Sequence, residues 1–112
     1  MTTVTVKVLV PAKTVEATQT TQYTANGVTA IIDKFTATNY SANAATISVS
    51  LVSSGGSSGN QNIITKTYTL QASQVYTFFE QVGQVLAPGD FISTIAGTAN
   101  AINMRVSGRE VT

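Results

Sequence analysis

The 112-residue chain has no histidine, no cysteine and no tryptophan, only two prolines, and 10% charged residues. Without histidine, neither a Ser-His-Asp nor a Cys-His relay can be assembled. Without cysteine, disulfide scaffolds and thiolate metal sites are excluded, and the redox compartment stays open. The net charge of +1, from six Lys/Arg and five Asp/Glu, gives no basis for binding nucleic acid or an anionic membrane, which needs clustered positive charge. No apolar run approaches the roughly 20 residues of a membrane helix. The N-terminal stretch MTTVTVKVLVPAKT lacks a basic segment followed by a long apolar core, so the expectation is a soluble chain made in the cytosol without a secretory signal.

What is present is a hydrophobic fraction of 43%, ordinary for a folded protein, with Thr, Ser, Asn and Gln supplying the polar surface. One domain over residues 1–112 fits this length, with 1–22 as an extended N-terminal strand or arm. A surface so poor in charge repels copies of itself only weakly. It therefore points to a protein covered in use by other subunits or a larger assembly. The alternative is a secreted β domain that Thr and Asn keep soluble.

Hydrophobic periodicity is that of strands throughout. Val4, Val6, Val8 and Val10 alternate with Thr3, Thr5, Lys7 and Leu9, and Pro11 is expected to end that strand. Thr14 to Thr24 is weakly periodic, an edge strand or arm. After the Asn26-Gly27 turn, Val28 to Thr38 reads as a central strand with Ile31, Phe35 and Ala37 on one face. Thr46 to Val52 places Ile47, Val49 and Leu51 inward and is expected to form a hairpin with it. Ser53 to Asn62 reads as a mobile loop. Ile63 to Leu70 puts Ile64, Tyr68 and Leu70 on one face, Val75 to Phe79 is an aromatic-rich strand, and Glu80 to Leu86 is expected to hold one helical turn packing Val82, Val85 and Leu86. The turn Ala87-Pro88-Gly89-Asp90 precedes a final hairpin of Phe91–Ala96 and Ala101–Val106, with Ile102, Met104 and Val106 inward. The pattern predicts an all-β, single-domain antiparallel β-sandwich, immunoglobulin-like or jelly-roll-like, of about seven to eight short strands.

Candidate chemistry is sparse. Glu16, Asp33, Glu80, Asp90 and Glu110 are scattered and form no local acid/base pattern, and Asp33 is read as half of a cross-strand ion pair. No closely spaced carboxylates offer a calcium loop, and Gly55, Gly56 and Gly59 lack the Lys-Ser/Thr of a phosphate loop. Of Tyr23, Tyr40, Tyr68 and Tyr76, Tyr40 is the one expected at the surface. The reading is a non-enzyme with no catalytic residue, no metal and no cofactor.

One block carries a resemblance. Tyr23 to Val28 leads into Ile31-Ile32-Asp33-Lys34-Phe35-Thr36-Ala37-Thr38-Asn39. Further along come Leu51-Val52-Ser53-Ser54-Gly55-Gly56, Val85 to Ile92 with its Leu-Ala-Pro-Gly-Asp turn, and Arg105-Val106-Ser107-Gly108. Over residues 20–111 this resembles a family of small all-β virion structural proteins of tailed bacteriophages. The resemblance implies a virion component made in the bacterial host cytoplasm, homo-oligomeric, with other virion proteins as partners: the major capsid protein, or neck or tail proteins. It implies no catalytic residues. A capsid decoration or cement protein is the first expectation, a neck or tail accessory protein the second, and a receptor- or glycan-binding fibre module the third. The expected subunit interface is Val4, Val6, Val8 and Val10, adding a strand to a neighbouring sheet by β-augmentation, or else pairing within its own sandwich.

Overall fold

In the computed structural model, which describes residues 2–112, strands carry almost all of the regular structure. In chain order they are β1 (Val4–Thr14), β2 (Thr20–Thr24), β3 (Thr29–Asn39), β4 (Ala45–Val52), β5 (Ile63–Leu70), β6 (Val75–Thr77), β7 (Val85–Leu86), β8 (Phe91–Ala96) and β9 (Ile102–Val111). They form two antiparallel sheets: a five-stranded sheet in the order β1-β9-β3-β6, with β7 also paired to β3, and a four-stranded sheet in the order β2-β8-β4-β5. With β6 and β7 taken as one interrupted edge strand, this is the strand order of a double-sheet jelly roll. The predicted β-sandwich is thus present, with nine strands among the described residues.

In this winding most consecutive strands change sheet, which corrects both expected hairpins. β3 belongs to the five-stranded sheet and β4 to the other, and β8 and β9 are separated in the same way. Asn39 redirects the chain after β3. It is fully buried, donates from Nδ2 to the carbonyls of Asn43 (2.8 Å) and Leu70 (2.9 Å), and accepts from the Ser41 amide (2.9 Å) and hydroxyl (2.7 Å). The amide thereby ties the end of one sheet to a strand of the other.

The core lies between the sheets, centred on Phe35, Phe78, Ile32, Ile47, Leu70 and Ile92, all without solvent exposure. Phe78 packs on Phe35 and on Tyr76, each at 4.7 Å between ring centres, and Tyr76 stacks on Tyr68 of β5 at 4.2 Å. This aromatic row bridges the two sheets. Ile47 and Val49 are buried and Leu51 packs against them half-buried, as their alternation predicts; Ile102, Met104 and Val106 are also inside.

Bulges account for most of the remaining differences, because each extra residue reverses the facing of the residues beyond it. A register slip between Ile32 and Lys34 sets Asp33 and Lys34 both outward, so Ile32 rather than Ile31 joins Phe35 and Ala37 inside. In β5, Thr65 faces Val49 and Tyr68 faces Ile47, leaving one residue too many. Thr67 takes up that residue at φ 47° and donates its amide to Ser48 Oγ at 2.8 Å. Ile64 therefore lies exposed, away from Leu70. Pro11 does not end β1. It sits in the slip between Val10 and Lys13 on an edge strand, where a missing N–H breaks no ladder bond. Residues Glu80 to Leu86 form turns and β7 instead of a helical turn. Gly83 at φ 84° donates to Ile32 O, Leu86 is buried, and Val82 and Val85 are exposed.

Candidate functional site

The expected interface residues lie on β1, whose only strand partner among the described residues is β9. Thr3 and Thr112 exchange both backbone hydrogen bonds, at 3.2 and 3.0 Å. In an antiparallel ladder such pairs alternate with pairs that bond outward. The register runs unbroken from Val4 opposite Val111 to Val8 opposite Ser107. Thr5 and Lys7 therefore bond to β9, while Val4, Val6 and Val8 aim their N–H and C=O groups at the open edge.

The side chains of these three valines point away from the core. Val4 is 56%, Val6 84% and Val8 40% exposed, whereas Val10 is 1% exposed and packed inside. The expected inward valine face is thus corrected: three valines form the outer surface of the sheet, and the fourth is core. Cross-strand pairing sets Val6 beside Arg109, Arg109 beside Ile31, and Ile31 beside Val85. Arg109 does not break this apolar row as a free charge, because it holds Asp33 in a two-pronged ion pair (Nη2–Oδ1 2.8 Å, Nε–Oδ2 2.9 Å). Ile31, Val85 and Val111 are the members of this surface that strand alternation alone did not single out. The sequence signal for Val85 was its neighbour Leu86, which takes the single inward position.

On the opposite face of β1, Lys7 reaches Glu110 at 3.2 Å, and Glu110 also accepts the Tyr23 hydroxyl from β2 of the other sheet. The Tyr23 hydrogen bond, opposed by partial burial and helped by Lys7, holds the Glu110 carboxyl below the usual carboxylate range. Burial first, then the Glu110 carboxylate, pushes the Tyr23 phenol well above its ordinary value. This clasp closes one end of the sandwich and neutralises the one charged residue between Val4 and Val8.

The carboxylates that could have carried chemistry are each engaged separately. Glu16 bonds Lys13 (2.8 Å) and Gln22 (2.9 Å), Asp33 bonds Arg109, and Asp90 accepts the amides of Ala87 (2.9 Å) and Ser54 (3.0 Å). Glu80 accepts from Thr65 (2.6 Å) and Tyr76 (2.9 Å), and Thr65 in turn accepts from the buried Gln81 (3.0 Å). No group of three or more potential metal ligands occurs among the described residues. Tyr40 is 52% exposed and shares a 3.2 Å hydrogen bond with Thr14. A groove of about 240 Å³ lined by Gln19, Ser48, Ser50, Lys66 and Thr67 lies on the four-stranded sheet. It is smaller than the 300–1,000 Å³ or so of common ligand pockets.

Compared with protein-family models, curated proteins and solved structures, the chain matches none of them.

Proposed function

We propose that this protein is a non-enzymatic structural component of a tailed-phage virion, a capsid decoration or cement subunit that assembles through the β1 edge. The observation that carries the reading is an edge strand with outward backbone bonds at Val4, Val6 and Val8 and a solvent-exposed valine surface at the same positions. An edge of this kind is a template for strand addition and is costly to leave bare in a soluble protein. Three further features support it: the charge-poor surface, the resemblance over residues 20–111, and by fold-level analogy the jelly-roll winding, which viral capsid and lectin domains share.

The test is the copy number of the chain in purified particles, by quantitative mass spectrometry against the major capsid protein. A decoration protein is present in hundreds of copies. A count of about six to a few dozen, the range of a closed ring or fibre collar, moves the protein to the neck or tail. Absence from particles overturns the reading.

A further inference from the structure

The edges of the two sheets are not alike. β2 is bulged between Thr21 and Tyr23, β5 carries two register shifts, and the β6–β7 edge is broken between Thr77 and Val85. Bulges and breaks of this kind are how sheets block unwanted pairing. Among the described residues, β1 alone presents a run, Val4 to Val8, with a continuous register and an open side. Lys7, the one charge in that run, is tied to Glu110 on the face opposite the valines.

That run is symmetric about Val6, with valines at 4, 6 and 8 and single polar residues at 5 and 7. We propose that β1 pairs antiparallel with β1 of a second copy of this chain, about a twofold axis through Val6. This rests on the reading of β1 as an assembly edge and names its partner. Because Val4, Val6 and Val8 bond outward, Val6 exchanges both hydrogen bonds with Val6 of the second copy, and Val4 does so with Val8. All the valines then stand side by side on one face of a sheet that continues across both copies. Lys7 meets Thr5 rather than another lysine. Shifting the axis to Lys7 sets like charges opposite each other and turns Val4 toward the buried Val10, and shifting it to Thr5 leaves Val8 facing Thr2, so the Val6 register is the one that pairs the three exposed valines with one another. The contact is isologous, as a twofold requires. Its short run keeps it below the roughly 1,200 Å² of a stable complex, which makes it a weak contact in dilute solution that a many-copy layer reinforces.

The chain has no cysteine of its own, so single cysteines report the register directly. A hydrogen-bonded antiparallel pair separates its Cα atoms by about 5.5 Å, inside the roughly 4.4–6.8 Å that a disulfide spans. Val6→Cys is expected to oxidise to a disulfide dimer. Val4→Cys and Val8→Cys, each about 14 Å from its own copy across the axis, are expected to stay largely monomeric alone and to cross-link to each other when mixed. Equal cross-linking of all three single variants, or none from Val6→Cys, overturns the proposal. Val6→Lys, at a position 84% exposed, keeps the fold by circular dichroism and lowers self-association in sedimentation equilibrium; unchanged association also overturns it. The two readings fail separately. Cross-linking by a protein absent from particles leaves the pairing and removes the virion role, and monomers present in hundreds of copies per particle do the reverse.

Discussion

Val8 and Val10, two residues apart in one strand, face opposite sides of the five-stranded sheet. Val8 lies opposite Ser107 and is 40% exposed, whereas Val10 lies opposite Val106 and is 1% exposed. Two residues of β1 advance against one of β9, which is a β-bulge, and Leu9 and Val10 are consequently buried in succession.

This division predicts opposite responses to the same truncation. Val10→Ala removes core packing and is expected to cost about 2–3 kcal/mol, read as a lowered urea midpoint. Val6→Ala is expected to stay within about 0.5 kcal/mol of wild type, as surface changes do. Equal losses at both positions contradict the bulged register.

The Asn39 amide predicts a sharper loss. Asn39→Ala leaves the carbonyls of Asn43 and Leu70 without their donor, for an expected cost of about 2–4 kcal/mol. Asn39→Asp is expected to destabilise at least as much, because a carboxylate cannot donate to either carbonyl. A neutral Asp variant in denaturant titrations would show that the crossover does not depend on this amide.

Gly108 lies where β9 passes between its neighbours. A Cβ there would collide with the Ile31 carbonyl oxygen and stand 2.9 Å from Leu9 Cδ1. Gly108→Ala forces backbone to move and is expected to cost about 1–3 kcal/mol, again measured by urea midpoint. Amide shifts in an NMR spectrum should concentrate in β1, β3 and β9.

The pH dependence comes from the groups that the fold perturbs. Glu16, Asp33, Glu80 and Glu110 are all held below the ordinary carboxylate range. At Glu80 burial pushes upward, and the hydrogen bonds from Thr65, its own backbone and Tyr76 outweigh it. Lowered folded values mean stability that is present above about pH 4.5 and lost as pH falls through them. Tyr76 is pushed up to about 12, by burial first and by Glu80 next. Its contribution is therefore complete below about pH 10 and lost as pH rises toward the folded value. With no histidine or cysteine, no side chain of ordinary pKa titrates between about pH 6 and 9. A urea midpoint that is flat over that window and falls on both sides is expected, and Glu80→Gln should shallow the acid limb. A step near pH 6.5 contradicts this.

Strand identity was legible in the sequence because alternation survives over Val4–Val10, Thr46–Val52 and Ala101–Val106. Strand partnership was not, since hairpin-length connections after Asn39 and Ala96 look alike whether the chain returns within a sheet or crosses between two. A buried amide making four hydrogen bonds decides the first case, and no local pattern announces it. Facing was also hidden in β1. Its two faces read Val4, Val6, Val8 and Thr5, Lys7, Leu9, and hydrophobicity alone selects the wrong one. The Lys7–Glu110–Tyr23 clasp draws the more polar face inward at the end of the sandwich, where charge remains near solvent.

The most direct test of an assembly role for this edge is amide hydrogen exchange of β1, in the free protein at low concentration and on purified particles. In the free protein, Thr5 and Lys7 should be protected by β9, and Val4, Val6 and Val8 should exchange rapidly. On particles the three valine amides should become protected as well, giving five protected amides in succession. Valine amides that exchange equally fast free and on particles would show that the β1 edge stays bare in use, and would contradict the account.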